Sequence, residues 1–405
     1  MLEFTQIGFL EDPLQKCAEI AARDPARPYL FVGASDDEVA SFVSAAEGLR
    51  FELPAEGEIR GGMKCSSKRS HMAHLLADGK NVAIKGSLFN YCDDAMLKMI
   101  WYSGYTLIST GDSILWSDKI SKCNAANIEE AIRRKQLLSV AQDTFLLSAA
   151  HKAEYILDML GIPQFTYNDR LLTRLTANGR TAMYWTPQPL MVSAFRCAHI
   201  VHHMPAASPF ATYMSIFGVR SNMEEGGRQH NRRLASLLAI VDDEKYNNKG
   251  ADATAYSVRW FARNKAMVDE VFKDMRNVLV HAGTGSEKSS LIAYAMPNTI
   301  LEAVDSGNAR PVFRGRGFPA IPAADCVEYA SARVLCYCAN TNFPTASAKY
   351  FRDNHAAFDQ DAYALCHMLR WISRSAVCGG ESVTVYVPSE YMRGLLEAWI
   401  EAQMP

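Results

Sequence analysis

An α/β fold in two domains, each a mostly parallel sheet flanked by helices, is what this sequence predicts. Three observations carry that expectation. Short apolar runs alternate with helix-period segments along the chain, the order that lays parallel strands side by side with helices on their faces. A length of 405 residues exceeds what a single core ordinarily serves. The stretch Phe358–Trp399 adds a helix, a strand and a second helix, each with a clear period and a clear break.

In chain order, Tyr29–Gly33 (YLFVG) reads as a buried strand and Asp36–Ala46 as the helix after it. Asn81–Lys85 (NVAIK) is a second strand, Asp93–Tyr102 a helix, and Tyr105–Ser109 (YTLIS) a third strand. Long helical patterns occupy Glu129–Leu160, and Ala198–His203 (AHIVHH) is strand-like before Phe210–Phe217. Gly218–Gly227 (GVRSNMEEGG) is polar and glycine-containing, so it is the expected connection, with domains at 1–220 and 221–405. A helix is expected at Gln229–Val241, a loop at Asn247–Asp252 and a helix at Ser257–Met275. Asn277–Ala282, Ser290–Ala295 and Arg333–Cys338 read as strands, and Arg310–Pro322 (RPVFRGRGFPAIP) as an exposed basic loop. Leu365, Leu369, Ile372 and Ala376 recur at helical spacing, which predicts a helix over Asp361–Val377. Gly379-Gly380 breaks it, and Val383, Val385 and Val387 alternate as a strand does. Pro388-Ser389 opens a last helix with Met392, Leu395, Leu396 and Trp399 on its buried face.

Composition narrows the function classes. Hydrophobic residues make up 49% and charged residues 21%, a soluble globular balance. A formal charge of -2 does not advertise a general polyanion binder. No run is apolar and long enough to span a bilayer, and the start of the chain has no basic n-region of a secretory signal, so no membrane partner is expected. Ten scattered cysteines without a CxxC pair read as reduced, mostly buried thiols of a cytoplasmic protein. His199, His202 and His203 are metal-like in type, but no carboxylate or cysteine is placed beside them at ligand spacing, and no metal is expected.

Five stretches resemble one family. The C-terminal block FDQDAYALCHMLRWISRSAVCGG is similar to the end of phage-type DEAD/DEAH-box (superfamily-two) helicases, where a helix of the form QWxxRSxxR supplies arginines to a nucleotide. Tyr29–Val39 (YLFVGASDDEV) resembles the family's strand and turn after its first helix, and Asn81–Asn90 (NVAIKGSLFN) a segment that lies near nucleic acid. Gly104–Asp112 (GYTLISTGD) resembles the strand and acidic motif that holds magnesium. Tyr329–Phe351 also resembles the stretch before the arginine helix; the likeness is faint from about Asn222 to Asp325. The resemblance implies two RecA-like lobes, an ATP and magnesium site, and contact with single-stranded nucleic acid.

The residues that such a site requires are replaced here. A phosphate loop needs glycines whose N–H groups wrap the phosphates, a lysine for the β/γ-phosphates and a Ser/Thr hydroxyl on magnesium. By position the loop falls at Gly8–Gln15 (GFLEDPLQ), where only Gly8 survives. Leu14 stands near the lysine position, Glu11 and Asp12 bring negative charge, and Pro13 lacks an N–H. Ser109-Thr110-Gly111-Asp112 replaces the acidic pair, with Asp112 a single displaced carboxylate or simply a turn residue. In the arginine helix Arg370 occupies the glutamine position, Arg374 is kept and Cys378 replaces the last arginine. The chain is thus identified as a degenerate member of the family, without its Walker A and Walker B residues. Asp112, Arg370 and Arg374 are vestigial catalytic positions and Gly8 a vestigial cofactor position.

Ala282–Ser289 (AGTGSEKS) imitates a phosphate loop through Gly283, Gly285, Lys288 and Ser289, but Glu287 stands where the last glycine belongs, so it reads as a surface loop. Lys64, Lys68 and Arg69, with His71, and separately Arg314 and Arg316 with Phe313 and Phe318, are basic groups a nucleic acid could meet. The expected function is that of a phage-encoded, helicase-like pseudoenzyme acting as a binding or scaffolding protein in the host cytoplasm. Its partners would be another protein, a second copy or single-stranded nucleic acid, and no cofactor is expected. The alternative is a nucleic-acid-dependent ATPase with a relocated phosphate site, using ATP and magnesium.

Overall fold

The computed structural model describes residues 1–60, 63–89, 91–110, 119–120, 125–147, 171–177, 180–247, 254–281, 291–306, 315–321 and 329–404. The chain divides into two compact units, each assembled from three segments: Met1–Gln6, Asp12–Glu225 and Pro344–Phe358 in the first, Ile7–Glu11, Gly226–Phe343 and Asp359–Pro405 in the second. Both are α/β, with parallel sheets flanked by helices, as expected from the alternation of apolar runs.

In the first unit the described strands are β1 (Leu2–Gln6), β2 (Tyr29–Gly33), the short pair β3 (Ile59–Arg60) and β4 (Met63–Lys64), β5 (Val82–Lys85), β6 (Thr106–Thr110), β7 (Lys119–Ile120), β8 (Leu137–Ala141), β9 (Thr144–Leu147), β10 (Leu171–Ala177), β11 (Arg180–Thr186), β12 (Cys197–His202) and β13 (Ser221–Glu224). Six of them form one parallel sheet in the order β13-β1-β12-β6-β2-β5. Its inner strand β2 is buried on both faces, which is why it reads as an unbroken apolar run. The helices over this sheet start on side-chain caps: Ser35 accepts from Glu38 N ahead of Asp36–Ala45, and Asp93 accepts from Met96 N ahead of Asp94–Ser103. The latter helix ends at Gly104 in the left-handed region, φ +67°. Phe42 stacks on Phe31 with centroids 3.7 Å apart, which ties the first of these helices to β2.

A second sheet of this unit is antiparallel, in the order β7-β11-β10-β9-β8. A line of buried hydroxyls crosses it. Thr144 meets Thr173 at 3.5 Å, Thr173 meets Thr186 at 2.8 Å, and the Tyr213 hydroxyl donates to Thr186 at 2.9 Å. Tyr350, from the helix Thr345–Asp353, closes the other end on Thr144 at 2.6 Å. The Asn354 amide adds two bonds of 3.0 Å to the backbone of Gln142. These contacts bring Pro344–Phe358 into the first unit.

The second unit carries β14 (Leu238–Ile240), β15 (Ile292–Met296), β16 (Arg316–Pro319), β17 (Val334–Tyr337) and β18 (Val383–Tyr386), all parallel, in the order β14-β18-β17-β15-β16. One side of its core is built from Tyr246, Tyr256, Phe261, Phe272, Met275, Tyr294 and Tyr386. Elsewhere Trp371 is fully buried, stacks on Tyr329 at 5.1 Å and accepts that tyrosine's hydroxyl on its carbonyl at 3.0 Å.

Several elements differ from the expectations. The helical pattern at Glu129–Leu160 begins in the helix Ala125–Arg133 but gives way to β8 and β9, because Lys135 and Asp143, both at φ +58°, turn the backbone; residues 148–160 lie outside the described residues. Gln229–Val241 is a helix only to Ser236; Leu238–Ile240 then pairs with β18 at the sheet edge. Ser257–Met275 is two helices, Val258–Arg263 and Met267–His281, broken at Asn264. Asn277–His281, expected as a strand, is the last part of the second of these, since Val271, Phe272, Met275 and Val278 keep one apolar helical face. Within Arg310–Pro322 the segment Arg316–Pro319 is a strand rather than a loop: Gly317 lies so close to Leu301 Cδ2 that a Cβ would stand 2.6 Å away, and only a packed strand beside β15 brings them together. Asn247 ends a helical turn, Glu244–Asn247, and Ser221–Glu224 in the expected connection is the edge strand β13. The C-terminal helix, strand and helix are as expected, at Gln360–Ile372, β18 and Glu390–Gln403.

Candidate functional site

Parallel α/β sheets present ligand sites beyond the carboxyl ends of their strands. In the first unit those ends are Gln6, Gly33, Lys85, Thr110 and His202, and the segment Gly8–Gln15, expected from the sequence to be a vestigial phosphate loop, follows β1 after Ile7. Ile7, Gly8 and Phe9 are buried and pack within the second unit. The N–H of Gly8 donates to the Glu11 carboxylate at 2.6 Å, and the N–H of Phe9 donates to Asn231 Oδ1 at 3.0 Å. Glu11 also faces His230 Nδ1 at 3.4 Å. Donors that a phosphate would need are therefore already bonded to the chain's own carboxylate and amide.

Two glycines make that approach geometrically feasible. Gly227, at the start of the helix Arg228–Ser236, has φ +73°, and a Cβ there would fall 1.9 Å from the Gly8 nitrogen. A Cβ on Gly8 would fall 2.5 Å from that of His230 and 2.8 Å from the Gly227 carbonyl. Gly8 is thus required for backbone-to-backbone contact. The Phe9 ring then meets Trp399 edge-on at 6.0 Å. Asp12, next in sequence, caps the helix Pro13–Ala22 by accepting from Leu14 N at 2.8 Å and Gln15 N at 3.5 Å. Its carboxylate occupies the helix N-terminus where an anionic ligand would otherwise dock. Leu14 is half-buried and offers no charge.

At the ends of β2 and β6 lies a carboxylate that the sequence reading did not single out. Glu38 is buried, accepts from Ala34 N at 2.7 Å and bonds the Thr110 hydroxyl, while Ser109 Oγ donates to Val32 O at 2.8 Å. Burial first, then the negative charges of Glu38 and Asp12, push the Cys17 thiol well above its ordinary value. The Ser109-Thr110 pair is therefore committed to internal bonds, and Asp112 lies outside the described residues. The sequence signals for Glu38 were its place as third residue of a capped helix and its position within the Tyr29–Val39 stretch.

Arg370 and Arg374 lie at the end of the helix Gln360–Ile372 and just beyond it, both half-buried, and Cys378 is exposed. The helix is anchored by Trp371, so the framework around the arginines is well packed. Gly283, Gly285, Lys288 and Ser289 lie outside the described residues, as does Arg314.

The described basic residues fall in both units. Lys68 is exposed at the first turn of Lys68–Ala77, but Arg69 is held by Asp93 and donates to Tyr91 O at 3.2 Å. His71 is buried and accepts from Ala55 N at 3.0 Å, so it leaves the expected basic cluster. Lys64 lies in β4. Arg316 is exposed in the second unit with its guanidinium 5.3 Å over the Phe318 ring.

One cluster contradicts the expectation that no acid or thiol stands beside the histidines. Glu3 of β1 is in register with His199 of β12, and Cys197 shares a face with His199 two residues away. The carboxylate lies 3.1 Å from His199 Nδ1. The carboxylate comes from a strand distant in sequence, but the Cys-x-His spacing was legible. His202 points to the other face, where its Nδ1 accepts from Met204 N at 3.0 Å.

Comparison with known proteins places this geometry in context. A family model described as the YonV C-terminal Rossmann-like domain matches residues 232–400. The chain is similar to an SPbeta prophage-derived uncharacterized protein, YonV, of Bacillus subtilis (strain 168), with 22% identity across 93% of this chain and 92% of that protein. Among solved structures, one titled XPD_Helicase aligns at 9% identity and TM-score 0.49, covering 98% of this chain and 94% of that one. A structure of S. tokodaii Xpd4 aligns at 10% identity and TM-score 0.47, covering 98% and 93%.

Proposed function

We propose that the chain is a phage-encoded, helicase-like pseudoenzyme that acts as a binding or scaffolding protein and does not hydrolyse ATP. The observation that carries this reading is the occupied phosphate-loop position, where Gly8 N–H is bonded to Glu11 and Phe9 N–H to Asn231. A triphosphate would have to displace a carboxylate from one donor, an amide from the next and the Asp12 cap from the following helix. It would do so without a lysine to compensate the charge, since Leu14 stands near that position. Similarity to a prophage-derived protein supports the phage origin. The partner is another protein or a second copy of the chain, with single-stranded nucleic acid as the further candidate.

Titrating a fluorescent ATP analogue with magnesium into the purified chain tests the reading, with hydrolysis followed in parallel. The expected outcome is neither saturable binding nor turnover. ATP hydrolysis that disappears in Arg374→Ala would overturn it, and tight binding lost in Lys288→Ala would favour an ATPase with a relocated phosphate site. Binding of single-stranded DNA that weakens steeply with salt would identify nucleic acid as the partner.

A further inference from the structure

We propose that Glu3, Cys197 and His199 form a transition-metal site, with zinc as the ion their donor set suits. The site is independent of the nucleotide reading, because it lies near the amino ends of β1 and β12, away from the strand ends that carry Glu38 and Thr110. Three donor types converge there. A carboxylate oxygen, a thiol sulfur and an imidazole nitrogen all lie within 4.8 Å of one another. Sheet register fixes two of the three, since Glu3 pairs directly with His199 and alternate residues of β12 share one face.

Tetrahedral zinc with bonds of about 2.0–2.3 Å to N, O and S places its ligands roughly 3.4 Å apart. The imidazole and carboxylate are already 3.1 Å apart, so an ion replaces the proton they share with only small side-chain shifts. Calcium and magnesium are disfavoured, as both call for oxygen shells. The side chains of His199 and Glu3 retain 19% and 33% exposure, which leaves a path for the ion and room for water in the fourth position. Metal binding releases the Cys197 thiol proton to solvent and leaves a thiolate on the ion. Among the neighbouring charges are Arg23, Arg27 and Glu224 around His199 and the N-terminal ammonium near Cys197. Arg23 lies 3.9 Å from Glu224 and Arg27 lies 2.5 Å from Asp24, so both cations have acidic counterparts and oppose a bound ion less. A metal here would staple β1 to β12.

Cobalt(II) titration of the full chain, stripped of metal with a chelator, tests this. The expected result is one equivalent bound with a thiolate-to-cobalt charge-transfer absorption that zinc(II) bleaches. Cys197→Ser should abolish the absorption although nine of the ten cysteines remain. His199→Ala should weaken binding by at least the ~10–100-fold that loss of a mere outer-shell partner costs. No absorption in the wild-type chain, or one that persists in Cys197→Ser, overturns the proposal. A wild-type measurement guards against misfolded variants: zinc(II) should slow alkylation of Cys197 selectively, and unchanged labelling overturns the proposal equally.

Discussion

Gly227 tolerates no side chain, and a single substitution there tests how the N-terminal segment is held. Its φ of +73° disfavours any Cβ, and the Cβ would overlap the Gly8 nitrogen at 1.9 Å. Gly227→Ala should therefore cost about 2–4 kcal/mol, combining backbone strain with forced displacement, as measured by urea unfolding. Buried acidic protons give a second prediction at this scale. Burial pushes the Cys336 thiol up to about 12, and burial again raises Tyr350 to about 12. The unfolded chain would release these protons at ordinary values near ~8.5 and ~10, so above those values the folded state holds more protons than the unfolded one. Stability is then complete below about pH 8.5 and falls as pH rises toward the folded values. The urea midpoint should drop between pH 8 and pH 10.5, and a midpoint that rises over that interval would contradict the assignment. Gly8 could be read from the sequence as a relic of a phosphate loop. Its present requirement, backbone contact with Gly227, depends on a distant residue that no local pattern signals.

The hydroxyl line through β9, β10 and β11 is where an element's stability can be probed without touching its apolar core. Thr173 is fully buried and bonded on both sides, to Thr144 and Thr186. Thr173→Val keeps the shape and removes one bond from each partner, while Thr144 keeps Tyr350 and Thr186 keeps Tyr213, so a loss of about 0.5–1.5 kcal/mol is expected, read from chemical unfolding. Elements buried on both faces, such as β2 and β17, were legible because their apolar runs are continuous. The sheet β7-β11 was not, because β10 and β11 interleave Thr and Arg with apolar residues and β8 is largely exposed. Edge strand β13, SNME, is exposed along its whole length and has no apolar run; its pairing with β1 rests on backbone bonds and on the Thr5 hydroxyl donating to the Glu224 carboxylate at 3.1 Å. At Asn277–His281 a β-like run of Val and Leu lost to helix because the preceding turns had already fixed which face was buried.

At the scale of the whole molecule, an α/β chain with two parallel sheets was readable from alternation and length. That Pro344–Phe358 serves the first unit was not, since its bonds, Tyr350 to Thr144 and Asn354 to Gln142, join residues more than 200 positions apart and leave no local pattern. A fragment of residues 1–225 should accordingly unfold with lower cooperativity than the full chain, and a peptide of residues 344–358 should restore part of the loss in a thermal melt. The discontinuity also dictates a timetable during synthesis. β1 leaves the ribosome long before its two neighbours, β12 and β13, which begin only at Cys197 and Ser221. The segment that seats Tyr350 follows later still, after most of the second unit has been made. Nascent β1 must therefore wait with both hydrogen-bonding edges unpaired, and neither unit can finish before the other has begun, so translation pauses or chaperone capture in that interval would govern the yield of folded protein.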